Sequence, residues 1–435
     1  MANLQEISDK VYDYLKTKNN TKGDFSICEV ERHEITMKDG KFTLFRTMFD
    51  DSFSVKVIKD NKKGTASINK CDTESIFKAI DDALLSTESG KADECFDIAP
   101  GMDEESFKYG VLTPDIDKLM ERTKELSDTI AAKHPKIKLI EMFTKYVRAH
   151  VVFRNTNGTK DIEEYGFYEI SLEFAGNDGE TSTGIAGSWA IFDSLDKELI
   201  TIGNIEKDLE DTENSLNPMS ISEKFDGDII FTPDCGAQML RYLMMNAVSD
   251  STLINKTSVW IDKIGQQVAS PMLTISSKPS DSRIVQHEVH TADGFRSKDY
   301  TLIDKGVLKC FATSLYAANK CKVNRAENTS GSLIVEAGDT PVKDMIKSIK
   351  KGLIVGGVSC GRPGVNGELS GVAKNSFYVE NGEIKGAVIE TMINGNLFDM
   401  VKNIKKISKE QVCNGTMVMP YIEIGNVTIS GKTSE

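Results

Sequence analysis

Apolar residues in the first half of the chain fall into two rhythms, and the same succession of rhythms occurs twice. Leu4, Ile7, Val11, Tyr14 and Leu15 recur at the spacing of one helix face. Alternation then predicts strands at Ile27–Met37, Phe42–Phe49 and Ser54–Ile58, with Asp39-Gly40 turning the first into the second. Helical spacing returns over Thr73–Leu85, where Ile76, Ile80, Ala83 and Leu84 share a face and Asp72 stands at the cap. After Pro114 the order repeats. Asp115–His134 reads as a helix stopped by Pro135, followed by strands at Ile137–Phe153, Asp161–Phe174 and Glu180–Ala190, with Asn157-Gly158 as the first turn, and by a polar helix over Asp196–Glu213. Ser86 to Pro114 has no period and reads as a linker. The pattern predicts an α+β N-terminal domain over 1–216, with sub-units at about 1–90 and 115–216 whose helix–sheet–helix order suggests an internal duplication.

Asn217-Pro218 marks the boundary to a β-rich C-terminal domain over 217–435. A buried strand at Asp228–Phe231 leads into a helix over Cys235–Val248. Its apolar stripe (Met239, Leu240, Leu243, Met244, Ala247, Val248) reads as core-facing. Beyond it, Asp304-Lys305-Gly306 separates the alternating runs Tyr300–Ile303 and Val307–Thr313. Asn381-Gly382 separates Phe377–Glu380 from Glu383–Ile389, and Asn-Gly supplies the positive φ values of a type I′ turn. A helix is expected to begin at Thr340, with Thr340 as cap, Pro341 in the first turn and Gly352 closing it.

Charge narrows the function. Lys and Arg number 53 against 66 Asp and Glu, a net −13, which repels phosphate backbones and anionic lipid. Nucleic acid is therefore not expected as a partner, and short runs such as Lys405-Lys406 make no basic stripe. No apolar run is long enough to span a bilayer, and the polar start of the chain lacks a secretory core, so membrane association is not expected and the cytoplasm is the expected compartment. The eight cysteines form no C-x-x-C pair and read as reduced thiols.

Candidate chemistry is sparse. Gln286-His287-Glu288-Val289-His290 offers two imidazoles and a carboxylate, but the alternation from Arg283 to His290 reads as a strand. That would set His287 and His290 on opposite faces, as exposed strand-edge residues rather than metal ligands. Cys360 is a nucleophile only if a histidine lies beside it, and the sequence supplies none nearby. Gly356, Gly357, Gly361, Gly364 and Gly367 lack phosphate-loop spacing. With Cys360 they read as a flexible loop that a peptide backbone could approach, or as plain turn punctuation.

The run from Gly352 to Ile404, with Gly352-Leu353-Ile354-Val355, Val379-Glu380-Asn381-Gly382-Glu383-Ile384 and Gly395-Asn396-Leu397 in that order, resembles the C-terminal signature of the TldD/PmbA family. Asn155-Thr156-Asn157-Gly158 looks like that family's Asn-Ser-x-Gly turn, and the resemblance spans nearly the whole chain. It implies an N-terminal α+β domain, a β-rich C-terminal domain and a dimer around a cavity in which peptides are degraded or processed. Zinc-bearing members carry HExxxH on a helix after a short strand, with a cysteine near the C-terminus as third ligand. Here Arg241 falls on the first histidine, Tyr242 on the glutamate and Asn246 on the second histidine, while Cys413 lies roughly at the cysteine. Guanidinium does not deprotonate, an amide oxygen is a poor zinc ligand and Tyr242 is no ready base. The chain thus looks like the PmbA (TldE) branch, with no zinc of its own. The resemblance implies a TldD-like partner that carries zinc, or a second copy of this chain, and an extended peptide as substrate. Arg241, Tyr242, Asn246 and Cys413 would then line the cleft, with Gly356, Gly357, Cys360 and Gly361 touching the peptide. A homodimeric peptide-binding protein without hydrolysis, and a hydrolase using Cys360 or Cys413, are the alternatives.

Overall fold

The computed structural model describes residues 4–431. In chain order the N-terminal elements are α1 (Leu4–Lys16), β1 (Thr21–Lys38), β2 (Lys41–Lys59), β3 (Lys62–Ile68), α2 (Thr73–Ser89), β4 (Glu105–Gly110), α3 (Ile116–Lys133), β5 (Ile137–Asn155), β6 (Lys160–Gly176), β7 (Ala186–Phe192) and α4 (Ile205–Glu213). They build one seven-stranded sheet in the order β3-β2-β1-β5-β6, with β4 and β7 sharing the far side of β6. Helix, three antiparallel strands, helix therefore occurs twice, and the two sets meet where β1 pairs antiparallel with β5. Each set has its own core. Leu15, Phe25, Phe53, Ile76 and Ile80 pack beneath α1 and α2, while Leu119, Leu126, Ile170, Phe174 and Leu209 pack beneath α3 and α4.

Local chemistry explains the boundaries. Asp72 and Asp115 cap α2 and α3, accepting from the Ser75 and Lys118 amides at 2.9 Å each. Four two-residue hairpins, at Asp39-Gly40, Asp60-Asn61, Lys305-Gly306 and Asn381-Gly382, have positive φ at both central residues, the twist a type I′ turn shares with its strands.

Several expectations are corrected. Phe42–Phe49 and Ser54–Ile58 are parts of one nineteen-residue strand, β2, because Asp50, Asp51 and Ser52 stay paired with β1. The linker contains β4, which lies parallel to the start of β6. Asn155 and Asn157 donate to the Ala99 carbonyl and Thr159 to Pro100, so the Asn-Thr-Asn-Gly turn pins the connecting chain. The strand expected at Glu180–Ala190 begins at Ala186, and the polar helix is reduced to α4 after a single 3-10 turn at Leu199–Thr201.

The C-terminal domain is a fourteen-stranded mixed sheet with helices against it. After the short β8 (Met219–Ser220), β9 (Lys224–Phe231) runs between Lys351–Val355, which is parallel to it, and Val418–Ser430, which is antiparallel. A parallel neighbour on one side and a buried environment explain its unbroken apolar end. Thr232 then caps α5 (Pro233–Ala247), with Pro233 in the first turn, and Met239, Leu240, Leu243 and Ala247 enter the largest core. The expected Thr340 cap is not made. The helix there is Val342–Ser348, and Glu410 from a neighbouring strand accepts the Val342 amide at 3.0 Å instead. Gly352 closes no helix either. It sits within a strand against Asp228, whose carbonyl oxygen would lie 1.8 Å from an added Cβ. Among the described residues, no helix is long and apolar enough to cross a membrane.

Candidate functional site

Three side chains of α5 at i, i+4 and i+8 face a single strap of chain. Gln238 makes a two-way amide pair with Val358, donating to its carbonyl at 3.2 Å and accepting its N–H at 3.3 Å. Tyr242 and Cys360 pack against the same core, and Tyr242 opposes the burial that raises the Cys360 thiol pKa. Asn246 donates from Nδ2 to the carbonyls of Pro363 at 3.2 Å and Gly364 at 3.1 Å. The strap runs in the same direction as the helix, so residues further along α5 meet positions further along a near-extended segment.

This geometry revises the expected loop. Gly357–Ser359 is a strand, paired with Glu368–Lys374 on one side and satisfied by Gln238 on the other. Gly356 is needed for close approach, since a Cβ there would lie 2.3 Å from the Asn375 carbonyl oxygen. Gly357 and Gly361 face open space, and Cys360 packs against the main core. Asn246 does not line an open cleft in this conformation. It is 1% exposed, and its Oδ1 is buried without a partner. Arg241 is exposed, with Nη2 3.5 Å from Met417 Sδ, and its charge opposes the burial that raises the Asp234 pKa.

These residues do not fit zinc. The amide nitrogen of Asn246 is committed to two carbonyls, Tyr242 offers a phenol, and Arg241 offers only a permanent cation. Cys413 looks elsewhere, donating to the Arg283 carbonyl at 3.2 Å and accepting from the Gly415 amide at 3.3 Å. Burial raises the thiol pKa of both Cys360 and Cys413, and no histidine hydrogen-bonds either among the described residues. All eight cysteines are free.

The more open candidate lies between the domains. A cleft of about 820 Å³ is bounded by the face of the N-terminal sheet (Lys56, Glu163, Tyr165) and by the segment from Gln286 to Ala292. A second hollow of about 390 Å³ shares Lys56, Thr291, Ala292 and Thr329 with it. His287 and His290 are here, in irregular chain and partly buried. The expected exposed strand is absent: Glu288 bonds Ser297 and Thr329 of its own domain, while the His287 carbonyl and the His290 ring meet Tyr109 and Asp161 of the other. Asp161, fully buried, lies 2.6 Å from His290 Nε2 and 2.6 Å from Arg296 Nη2. Burial alone would raise its pKa, but the bonds from His290 and Arg296 outweigh it and hold the carboxyl low. Glu163, two residues on, has its pKa raised by burial although the Tyr109 hydroxyl donates to it at 2.5 Å. Tyr109 also stacks edge-on with His287, and the His287 Nδ1 meets the Pro279 carbonyl.

Sequence reasoning missed Asp161, Glu163 and Tyr109, since a lone acidic residue in a strand usually faces water. The available signal was the i, i+2 row Asp161, Glu163, Tyr165 and Phe167, in which two acids continue the aromatic face of β6.

Comparisons with known proteins agree with this architecture. Residues 224–431 match the profile of the PmbA/TldA metallopeptidase C-terminal domain, and residues 23–86 that of PmbA/TldA metallopeptidase domain 1. A metalloprotease PmbA homolog of Haemophilus influenzae is 23% identical over 432 residues, spanning 96% of this chain and 94% of the relative. Metalloprotease PmbA of Escherichia coli O157:H7 is 22% identical over 399 residues, 86% of each chain. The crystal structure of TldE from Thermococcus kodakarensis has the same fold, with a TM-score of 0.84 at 20% identity over 99% of this chain and 100% of that one. So does a putative modulator of DNA gyrase from Bacteroides thetaiotaomicron, with a TM-score of 0.85 at 18% identity over 98% and 99%.

Proposed function

Because this chain belongs to the TldD/PmbA family of metallopeptidase-like proteins, we propose that it is the zinc-less, TldE-like subunit of a peptide-processing pair. It binds an extended, unstructured peptide, and a TldD-like partner supplies the hydrolytic zinc. The observation that carries this reading is the state of α5. Where a metal-bearing relative presents imidazoles, Asn246 here binds the strap at Pro363 and Gly364, one turn from Tyr242.

The interdomain cleft is the place for the peptide. Its walls carry serine and threonine hydroxyls beside Phe25, Phe153 and Tyr165, a mixture suited to backbone groups and varied side chains. Residues of this chain would bind and orient the substrate, and none is assigned to bond cleavage. Cys360 and Cys413 are poor nucleophiles here, since burial keeps both thiols protonated.

The test is hydrolysis of an unstructured peptide by this chain alone, by a TldD-like chain alone and by the two mixed. Chelator-sensitive cleavage is expected in the mixture at a rate above that of the TldD-like chain alone. Chelator-sensitive cleavage by the purified chain alone would refute the reading. Peptide binding with no cleavage in any mixture would favour the non-catalytic homodimer, and loss of activity on thiol alkylation but not chelation would favour a cysteine hydrolase.

A further inference from the structure

The interdomain cleft holds more negative charge than its own cations balance. Three carboxylates line it, Asp24, Glu163 and Glu288, against a single lysine, Lys56. Asp24 takes that lysine at 2.7 Å. Glu288 is held by neutral donors, the Ser297 hydroxyl at 2.5 Å and the Thr329 amide at 2.9 Å. Glu163 is the least satisfied. It is 9% exposed, and the Tyr109 hydroxyl donates to one of its oxygens at 2.5 Å. Among the described residues its other oxygen has no hydrogen-bond partner, is not sealed from solvent, and meets no lysine or arginine. A carboxylate nine-tenths buried without a cation is costly unless something else brings one. Beside it stands a second acceptor. The same Tyr109 hydroxyl lies 3.1 Å from the His287 carbonyl oxygen, and the Tyr109 and His287 rings meet edge-on with centroids 4.8 Å apart. His287 Nδ1 meets the Pro279 carbonyl, which can only accept, so Nδ1 carries the proton and the neutral ring offers a lone pair at Nε2. Among the described residues that nitrogen has no hydrogen-bond partner, whereas His290 gives its Nε2 to Asp161. Tyr165, stacked on Tyr109 at 5.2 Å, and Phe153 add aromatic faces to the same cleft. Acceptors without donors, next to aromatic faces, suit a cation that carries N–H groups.

We propose that Glu163 and His287 form an ammonium subsite, in which the free oxygen of Glu163 pairs with a primary amine of the bound peptide and His287 Nε2 accepts one of its hydrogens. The amine is the peptide's own N-terminus or a lysine side chain, which share this chemistry. A metal ion is not the cation, since among the described residues no three His, Cys, Asp or Glu side chains converge to hold one. An ammonium group needs only acceptors and leaves its remaining N–H to water or to the cleft hydroxyls. Both residues act by binding, and neither gives up or takes a proton. The subsite rests on the reading of the cleft as the place of the peptide, and adds what that peptide must carry.

The experiment titrates the full-length chain, by calorimetry, with versions of one short unstructured peptide. One has a free amino terminus and no lysine, one is acetylated, and two are acetylated with either lysine or norleucine at the centre. The versions that carry an ammonium group should bind roughly ten to a hundred times more tightly than the acetylated and norleucine versions. A gain confined to the free terminus identifies the α-amine, a gain confined to the lysine version identifies the side chain, and a gain in both means that the subsite takes either. Glu163→Gln keeps the shape of the side chain and its bond from Tyr109, and should reduce the preference to about twofold or less. Equal binding of charged and uncharged versions, or a preference that survives Glu163→Gln, would overturn the subsite and leave the peptide-processing reading standing. Failure of every version to bind would overturn both. If the glutamine variant lost its fold, the wild-type series would decide alone.

Discussion

Replacing Asn246 by alanine tests the interpretation of α5 most directly. The change removes two hydrogen bonds to the strap, worth about 1 kcal/mol each. The Gly364 carbonyl lies in an exposed residue and can take a water, whereas Pro363 is buried and its carbonyl is left dry, costing a further ~1–2 kcal/mol. Against this, the unpartnered Oδ1 of Asn246 disappears, which returns about 1 kcal/mol. The net expectation is a loss of about 2–3 kcal/mol, concentrated in the strap and not spread over the domain. Asn246→Asp should cost more, because it turns a carboxylate toward two carbonyl oxygens. Hydrogen exchange read by mass spectrometry checks this. Amides from Val358 to Gly367 should exchange about 10–100 times faster in the alanine variant, while β1 and β5 are unchanged. An Asn246→Ala protein within about 0.5 kcal/mol of wild type by urea denaturation, with strap exchange unaltered, would refute the latch.

Two further outcomes follow from charge. Asp208 has its pKa pushed up to about 8 by burial and by the nearby Asp234 charge, while its oxygens bind Ser188 and Asn204. An acid raised in the folded state is neutral there when the unfolded chain has already ionised near pH 4. Stability should therefore fall as pH rises from about 4 through about 8, by at most ~6 kcal/mol. Asp208→Asn should flatten this slope in urea titrations across that range, and an unchanged slope would contradict the assignment. Asp161→Leu leaves His290 without its carboxylate and Arg296 with only Glu105 and the Asp103 carbonyl, and should cost about 3 kcal/mol, with Arg296→Met restoring part of the loss in the double variant. Additive losses measured by thermal unfolding would show that the two side chains are not coupled.

Periodicity and turn chemistry carried much of the fold into view. The helical spacing of α1, α2 and α3, the capping acids Asp72 and Asp115, and the Asp-Gly and Asn-Gly turns all act within a few residues of chain, so they are readable without tertiary information. Where pairing partners are distant, reading failed. β2 looked like two strands because Asp50 and Asp51 are polar, yet β1 holds them in register. β4 looked like linker because a short parallel strand owes its existence to β6.

The chemistry divides along the same line. Which donor groups α5 carries is a matter of covalent sequence, and the guanidinium of Arg241, the phenol of Tyr242 and the amide of Asn246 are poor zinc donors by chemistry alone. What those side chains do instead required the three-dimensional chain, since Asn246 and Gly364 are 118 residues apart. The same holds for Asp161, His290 and Arg296, which lie on different domains and meet only when the cleft is formed. Side-chain type is a local property, but burial and hydrogen-bond partnership arise from contacts across long loops. The sequence by itself therefore determined which donor groups this helix carries, and only the tertiary structure decided how they are used.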